Sequence, residues 1–162
     1  MDSTNHPSAA PTPTTTPPAA GIGVATRKEV QVAIAIVFDP PSGNLLICRR
    51  KPDAVLGGFW EFPGGKCEPG EPPEACATRE VLEETALHVR VIRALPTIDH
   101  DYPHARVRLH PFICEKTGGT LTPLEVAEAQ WIPPATVRSY PFPPANASLL
   151  ELIAQGHAAQ SP

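Results

Sequence analysis

The four cysteines, at positions 48, 67, 76 and 114, include no C-x-x-C pair, so their spacing argues against a zinc site and they read as reduced thiols. Basic residues are in the minority, 13 Lys and Arg against 17 acids for a net charge of −4. That balance lacks the positive footprint of stable nucleic-acid binding. No apolar run approaches the length of a membrane span, and no membrane partner is expected. The N-terminus has neither the charged-then-apolar order of a secretion signal nor the arginines of an import peptide, so a cytoplasmic protein is the expectation. Aromatic residues are scarce at 6%, yet 41% of the 162 residues are hydrophobic, enough for one domain with its own core and too few for two. Composition leaves monomer and homodimer both open.

Proline is plentiful, with 22 in all, and it marks boundaries. Residues 1–27 combine Pro, Thr, Ala and Ser with hardly any large apolar side chain. They are expected to form a disordered tail, because they cannot bury enough surface to offset the entropy of ordering. The folded domain is expected over 28–156, with a short tail at 157–162. Val30 to Phe38 is nearly continuous and β-branched, as in a central strand buried on both faces. Turn chemistry from Asp39 to Asn44 leads to a second strand, Leu45 to Cys48, closing a hairpin. His88 to Leu95 and Arg106 to Cys114 alternate like half-exposed strands. Between them His100 to His104 reads as a polar loop, and Gly118-Gly119 as a turn. A strand at Gln130 to Ile132 and a short helix at Ala135 to Ser139 follow. The last element is an apolar helix, Leu149 to Gln155, with Ser148 and Glu151 spaced as a capping box. Strands interleaved with one central and one terminal helix predict an α/β fold, an α/β/α sandwich around a mixed sheet.

The densest chemistry lies in Gly64 to Leu87, GGKCEPGEPPEACATREVLEETAL. Aromatics from Phe59 onward lead into what reads as a glycine turn. Pro72 and Pro73 suit the first turn of a helix, where a missing N–H costs nothing, and the helix should run to about Thr85. At about 100° per residue, Glu80, Glu83 and Glu84 share one face, while Ala75, Leu82 and Ala86 share another that can pack on a core. Like charges at i, i+3 and i+4 destabilise a helix by about a few tenths of a kcal/mol per pair. Either this is a solvated acidic face, or the carboxylates serve a hard divalent cation, which prefers oxygen ligands and bridges carboxylates to phosphates.

The stretch resembles the Nudix box of the Nudix hydrolase family. It has Gly65, five residues, Glu71, seven residues, then Arg79-Glu80-Val81-Leu82-Glu83-Glu84-Thr85-Ala86-Leu87. One position departs: Ala86 stands where the family has Gly, at a helix end that a left-handed residue would ordinarily close. Ala in that conformation costs on the order of 1 kcal/mol. The resemblance extends over about Lys28 to Gln155 and is nearest the MutT-type oxidised-nucleotide pyrophosphohydrolases, through Phe59 to Lys66, Glu125 ahead of Trp131, and Phe142 to Asn146.

What the resemblance implies is a nucleoside triphosphate pyrophosphohydrolase. Mg²⁺, or Mn²⁺, would be held by Glu80, Glu83, Glu84, Glu125 and the Gly64 carbonyl. Arg79 would orient Glu80, Glu71 would brace the loop, and Glu80 or Glu125 would take the proton from water. Arg50 would meet substrate phosphate, with Glu61 and Lys66 also on the substrate side. Asn146 would read the base, and Phe62, Val32 and Val107 would wall its pocket. In MutT-type enzymes the matching Asn reads 8-oxoguanine, whereas relatives preferring cytidine nucleotides carry an acid there. The sequence thus points to 8-oxo-dGTP, with CTP or 5-methyl-dCTP as the alternative. A reading from another class is a non-catalytic oxoguanine-recognition module; such domains lose the carboxylates that this chain keeps.

Overall fold

A computed structural model of the chain describes residues 28–101, 103 and 105–156. The two tails expected at 1–27 and 157–162 lie outside the described residues. Among the described residues, eight strands form one mixed sheet: β1 (Lys28–Asp39), β2 (Asn44–Arg49), β3 (Trp60–Glu61), β4 (Gly64–Lys66), β5 (Leu87–Ala94), β6 (Ile98–Asp101), β7 (Ala105–Gly119) and β8 (Glu128–Ile132). The main path runs β3-β2-β1-β7-β5, with β4 on β1, β6 on β7 and β8 on β2. β1 and β7 run parallel from Lys28↔Ala105 to Phe38↔Glu115, and the other pairs are antiparallel.

The two-residue period of β1 divides the core. Ala33, Ala35 and Val37 face helix α1 (Pro73–Thr85), together with Leu46, Cys48, Phe112 and Cys114. Ile34 and Ile36 face the other way, with Leu45, Ile47, Phe62 and Ile113, under helix α2 (Ala147–Ala154). Both faces are covered, which accounts for the unbroken apolar run in β1. Small residues on the α1 side let that helix lie close to the sheet.

The helix α1 has the expected span but turns a different face to the core. Its buried residues are Cys76, Ala77, Val81 and Thr85, while Leu82 is 42% exposed and Ala75 is exposed. The i, i+4, i+8 row of small side chains fits against Ala33 and Ala35 where Leu82 would not. Thr85 is tolerated there because its hydroxyl donates to the Val81 carbonyl at 2.6 Å. This rotation carries Glu80 and Glu84 to the margin of the buried face.

Several local readings are corrected. The glycine turn is instead β4, paired across β1 as Ile34↔Gly64 and Ala33↔Gly65; a Cβ on Gly64 would meet the Ala33 carbonyl oxygen at 2.2 Å, so the close approach requires glycine. Gly118 and Gly119 end β7 and do not form a turn. The first part of the polar loop is β6, with His100 opposite Val107; Tyr102 and His104 lie outside the described residues. Residues 134–139 form a 3₁₀ helix. The capping box is absent: α2 starts two residues earlier than Ser148 allows, with Asn146 in the N-cap position making no side-chain capping bond.

Candidate active site

Arg79 is the hub of the site. Its Nε donates to Glu71 Oε1 at 2.8 Å and its Nη2 to Glu71 Oε2 at 3.0 Å, while Nη1 reaches Glu80 and Glu83, each at 2.8 Å. The forked guanidinium suits this bidentate grip. Together with the Glu68 N–H, Arg79 holds the Glu71 carboxyl down at about 2. Glu71 also accepts from the Glu68 N–H at 2.9 Å, which fixes the loop between β4 and α1.

Glu84 points inward and accepts from the Gly64 N–H at 3.2 Å. Burial, and after it the charge of Glu61, pushes its carboxyl up to about 8, with Glu80 and Glu125 adding to the rise. Burial likewise raises Glu80, with Glu83 and Glu125 adding and Arg79 opposing. Glu125 is exposed on the loop before β8. That loop docks on the end of α1 through Thr122 N–H to Thr85 O at 3.0 Å and Leu124 N–H to Glu84 O at 2.9 Å, satisfying carbonyls the helix leaves open. Glu84 and Glu80 thus lie against the start of β4, at Gly64 and Gly65, and Glu61 and Glu125 act on Glu84 through their charge. They offer only oxygen donors and repel one another, which fits a hard divalent cation. The expected ligands Glu80, Glu83, Glu84 and Glu125 are not gathered within 4.8 Å of one another; among the described residues the one trio that is comprises Cys67, Glu71 and Cys76.

A Cβ on Gly65 would meet the Glu80 carboxylate at about 2.5 Å, so Gly65 is needed for that side chain to fold back over β4. Ala86 keeps the left-handed helix end expected of glycine, with φ 59° and ψ 18° and its N–H on the Leu82 carbonyl.

Arg50 ion-pairs with Glu61, and burial raises the Glu61 carboxyl despite that partner. The Arg50 Nε is buried with no hydrogen-bond partner among the described residues, so one of its donors is unspent beside the carboxylates. On the other face of the sheet, Phe62 is buried against Phe142 with ring centroids 5.0 Å apart, and Val32 and Val107 pack on the same cluster. Phe62 therefore acts first as core. Lys66 is exposed and borders a cavity of roughly 470 Å³ with Lys28, Gln31, Cys67 and Glu71. Asn146 is half-buried, four residues beyond Phe142, with its amide side chain free of capping duty.

His100, expected in a polar loop, lies in β6 instead. It stands opposite Val107, and its Nε2 is buried with no hydrogen-bond partner among the described residues.

Known proteins with this architecture include the solution structure of the E. coli ORF135 protein, which superposes with a TM-score of 0.71 at 29% identity over 83% of this chain and 94% of that one. The chain is 35% identical over 96 residues to an 8-oxo-dGTP diphosphatase of Proteus vulgaris, covering 59% of this chain and 85% of that enzyme. It is 29% identical over 133 residues to a CTP pyrophosphohydrolase of Escherichia coli, covering 82% and 97%. The family description NUDIX domain matches residues 33–152, from the β1 residues under α1 through the Arg79 hub to Asn146, and the chain belongs to that family.

Proposed function

We propose that this protein is a Mg²⁺-dependent nucleoside triphosphate pyrophosphohydrolase that converts 8-oxo-dGTP to 8-oxo-dGMP and pyrophosphate, keeping an oxidised precursor out of replication. Its family makes it a hydrolase of phosphoanhydride bonds; the nucleotide and the ion are the proposal. The observation that carries the metal-dependent reading is the pair of carboxylates at the start of β4, Glu84 turned inward onto the Gly64 N–H and Glu80 folded over Gly65. A polyphosphate brings further negative charge to this acidic protein, and only cations make that acceptable.

Glu80, Glu83, Glu84, Glu125 and the Gly64 carbonyl would hold the ion, which when bound polarises phosphoryl oxygens and lowers the pKa of water. Glu80 accepts the proton of the water that attacks the β-phosphorus, and Arg79 keeps its carboxylate aimed. Arg50, whose side chain is partly exposed beside Glu61, offers its guanidinium to a phosphate oxygen. Asn146 presents a donor and an acceptor together to the edge of an oxidised purine. The substrate is a free nucleotide, which fits a cytoplasmic enzyme. A CTP-type substrate is the second reading, favoured by the extent of the match to the CTP pyrophosphohydrolase.

The test is a turnover panel with Mg²⁺ and 8-oxo-dGTP, dGTP, CTP and 5-methyl-dCTP, scored for pyrophosphate release. The expected result is the highest kcat/KM for 8-oxo-dGTP. A preference for a cytidine nucleotide overturns the assignment of the base.

A further inference from the structure

Cys67 and Cys76 are nine positions apart in the chain, but the step from β4 into α1 brings them together. Their sulfurs and a Glu71 carboxylate oxygen all lie within 4.8 Å of one another. Cys67 is the first residue after β4 and is anchored by its N–H on the Gln31 carbonyl at 3.0 Å. Its side chain is half-buried, packs on the cluster beneath α1 and borders the 470 Å³ cavity. Cys76, in the first turns of α1, is fully buried. One thiol is therefore open to a small oxidant and the other is shielded directly behind it.

We propose that Cys67 and Cys76 are a redox modification site and form a reversible intrachain disulfide when the protein meets a hydroperoxide. A metal clip on the same trio is disfavoured. Glu71 is already spent on Arg79 and on the Glu68 N–H, and the Arg79 guanidinium lies 3.6 Å from the Cys76 sulfur, where a second cation would be repelled. A disulfide needs neither. Its sulfurs must close from within 4.8 Å to about 2.05 Å, and rotation of the partly exposed Cys67 side chain between staggered wells moves its sulfur the right way.

The steps balance. The Cys67 sulfur attacks a peroxide oxygen, the O–O bond breaks, and a sulfenic acid and one product hydroxyl (water from hydrogen peroxide) result. The Cys76 sulfur then attacks the Cys67 sulfur, the S–O bond breaks, the S–S bond forms, and water leaves with the Cys76 proton. The two thiols have lost two electrons and the peroxide has gained them. A dithiol reductant reverses the bond by exchange.

The bond would be felt at Glu80. The Cys76 sulfur now contacts the Gly65 carbonyl and Arg79, each at 3.6 Å, and these are the two residues that shape the position of Glu80. Bonding that sulfur to Cys67 removes its proton, the donor to the Gly65 carbonyl, and changes the acceptor that Arg79 meets. This consequence rests on the role proposed for Glu80; the disulfide itself does not.

Trypsin separates Cys67 to Arg79 as one peptide carrying both thiols, because Lys66 precedes it and Arg79 ends it. Full-length protein treated with hydrogen peroxide, denatured and alkylated should give this peptide lighter by two hydrogens and refractory to alkylation, while Cys48 and Cys114 alkylate normally. Dithiol treatment should restore alkylation, and Cys67→Ser or Cys76→Ser should abolish the light peptide. Sulfinic acid at Cys67 with Cys76 still alkylated overturns the proposal, as does stoichiometric zinc that protects both thiols in the isolated protein. Triphosphate turnover should fall severalfold on oxidation and recover on reduction, and Cys67→Ser should be insensitive to peroxide. Unchanged turnover in the oxidised protein overturns the link to Glu80. Absence of turnover in both redox states overturns the proposed function, and the peptide result still decides the bond.

Discussion

Gly65 lies under the Glu80 carboxylate so closely that a methyl group there would sit at about 2.5 Å from it. The atoms in the way are the end of a flexible side chain and not backbone, so Gly65→Ala should fold with little loss of thermal midpoint. Its effect should fall on catalysis, because misplacing a reacting group by about an ångström can cost about 10²-fold. Steady-state kinetics beside a melting curve check this; a normal kcat would mean that Glu80 has no need of its present position.

Glu80→Gln keeps the shape and one hydrogen-bonding oxygen while removing the capacity to take a proton. Loss of a general base costs about 10² to 10⁴ in rate, and kcat should drop by that order with an unchanged circular dichroism spectrum. Wild-type turnover in this variant removes Glu80 from the mechanism and passes the role to Glu125.

The pH dependence of stability follows from Glu84. Its folded carboxyl is raised to about 8 from an ordinary 4.5, so between these values the folded state binds a proton that the unfolded state has released. Stability then decreases as pH rises through this window. Glu80 and Glu61, also raised, act in the same direction. Glu71, lowered to about 2, acts oppositely, and its contribution is lost only below the usual carboxylate range. With a chelator present, the thermal midpoint should fall from pH 5 to pH 8, Glu84→Gln should flatten that slope, and saturating Mg²⁺ should reduce it by displacing the proton. A wild-type midpoint that rises over this range contradicts the raised Glu84.

Ala86 holds a left-handed conformation at the end of α1, with φ 59°, against Gly119, where a Cβ would meet the Ala86 carbonyl oxygen at 2.3 Å. Relieving the Cβ penalty by Ala86→Gly should stabilise the protein by about 1 kcal/mol, read as a higher denaturation midpoint with the same m-value. No gain would mean that the backbone around Leu87 already absorbs the strain.

The long-period features were legible in the sequence. The β1 run, the 39–44 turn, the span of α1 and the ridge from Glu80 to Glu84 all follow from local composition and spacing, and the structure keeps them. What escaped depends on partners far along the chain. Leu82 outranks Ala77 and Thr85 in hydrophobicity, but the small surface offered by Ala33 and Ala35 selects the smaller face. Gly64 and Gly65 look like a turn until β1 is known to pass against them. Ser148 and Glu151 have the spacing of a cap, yet Pro143 and Pro144 set up a 3₁₀ turn that starts the helix at Ala147. The nearness of Cys67 to Cys76 has no local signature, because it comes from the turn between a strand and a helix.

Asn146 separates the two substrate readings. Its backbone occupies the N-cap position of α2 but its side chain makes no capping bond, so replacing the amide should leave stability nearly unchanged. An amide presents a donor and an acceptor at once, whereas a carboxylate only accepts. A site built to pair with a carbonyl-bearing purine edge loses that match when the donor is removed, and an amino-bearing pyrimidine edge gains a partner. Asn146→Asp should therefore lower kcat/KM for 8-oxo-dGTP by about tenfold or more, on the scale of a mispaired buried polar group, and raise it for CTP. The ratio of the two constants is the measurement, since it cancels any loss of active protein. An unchanged ratio would place base recognition elsewhere.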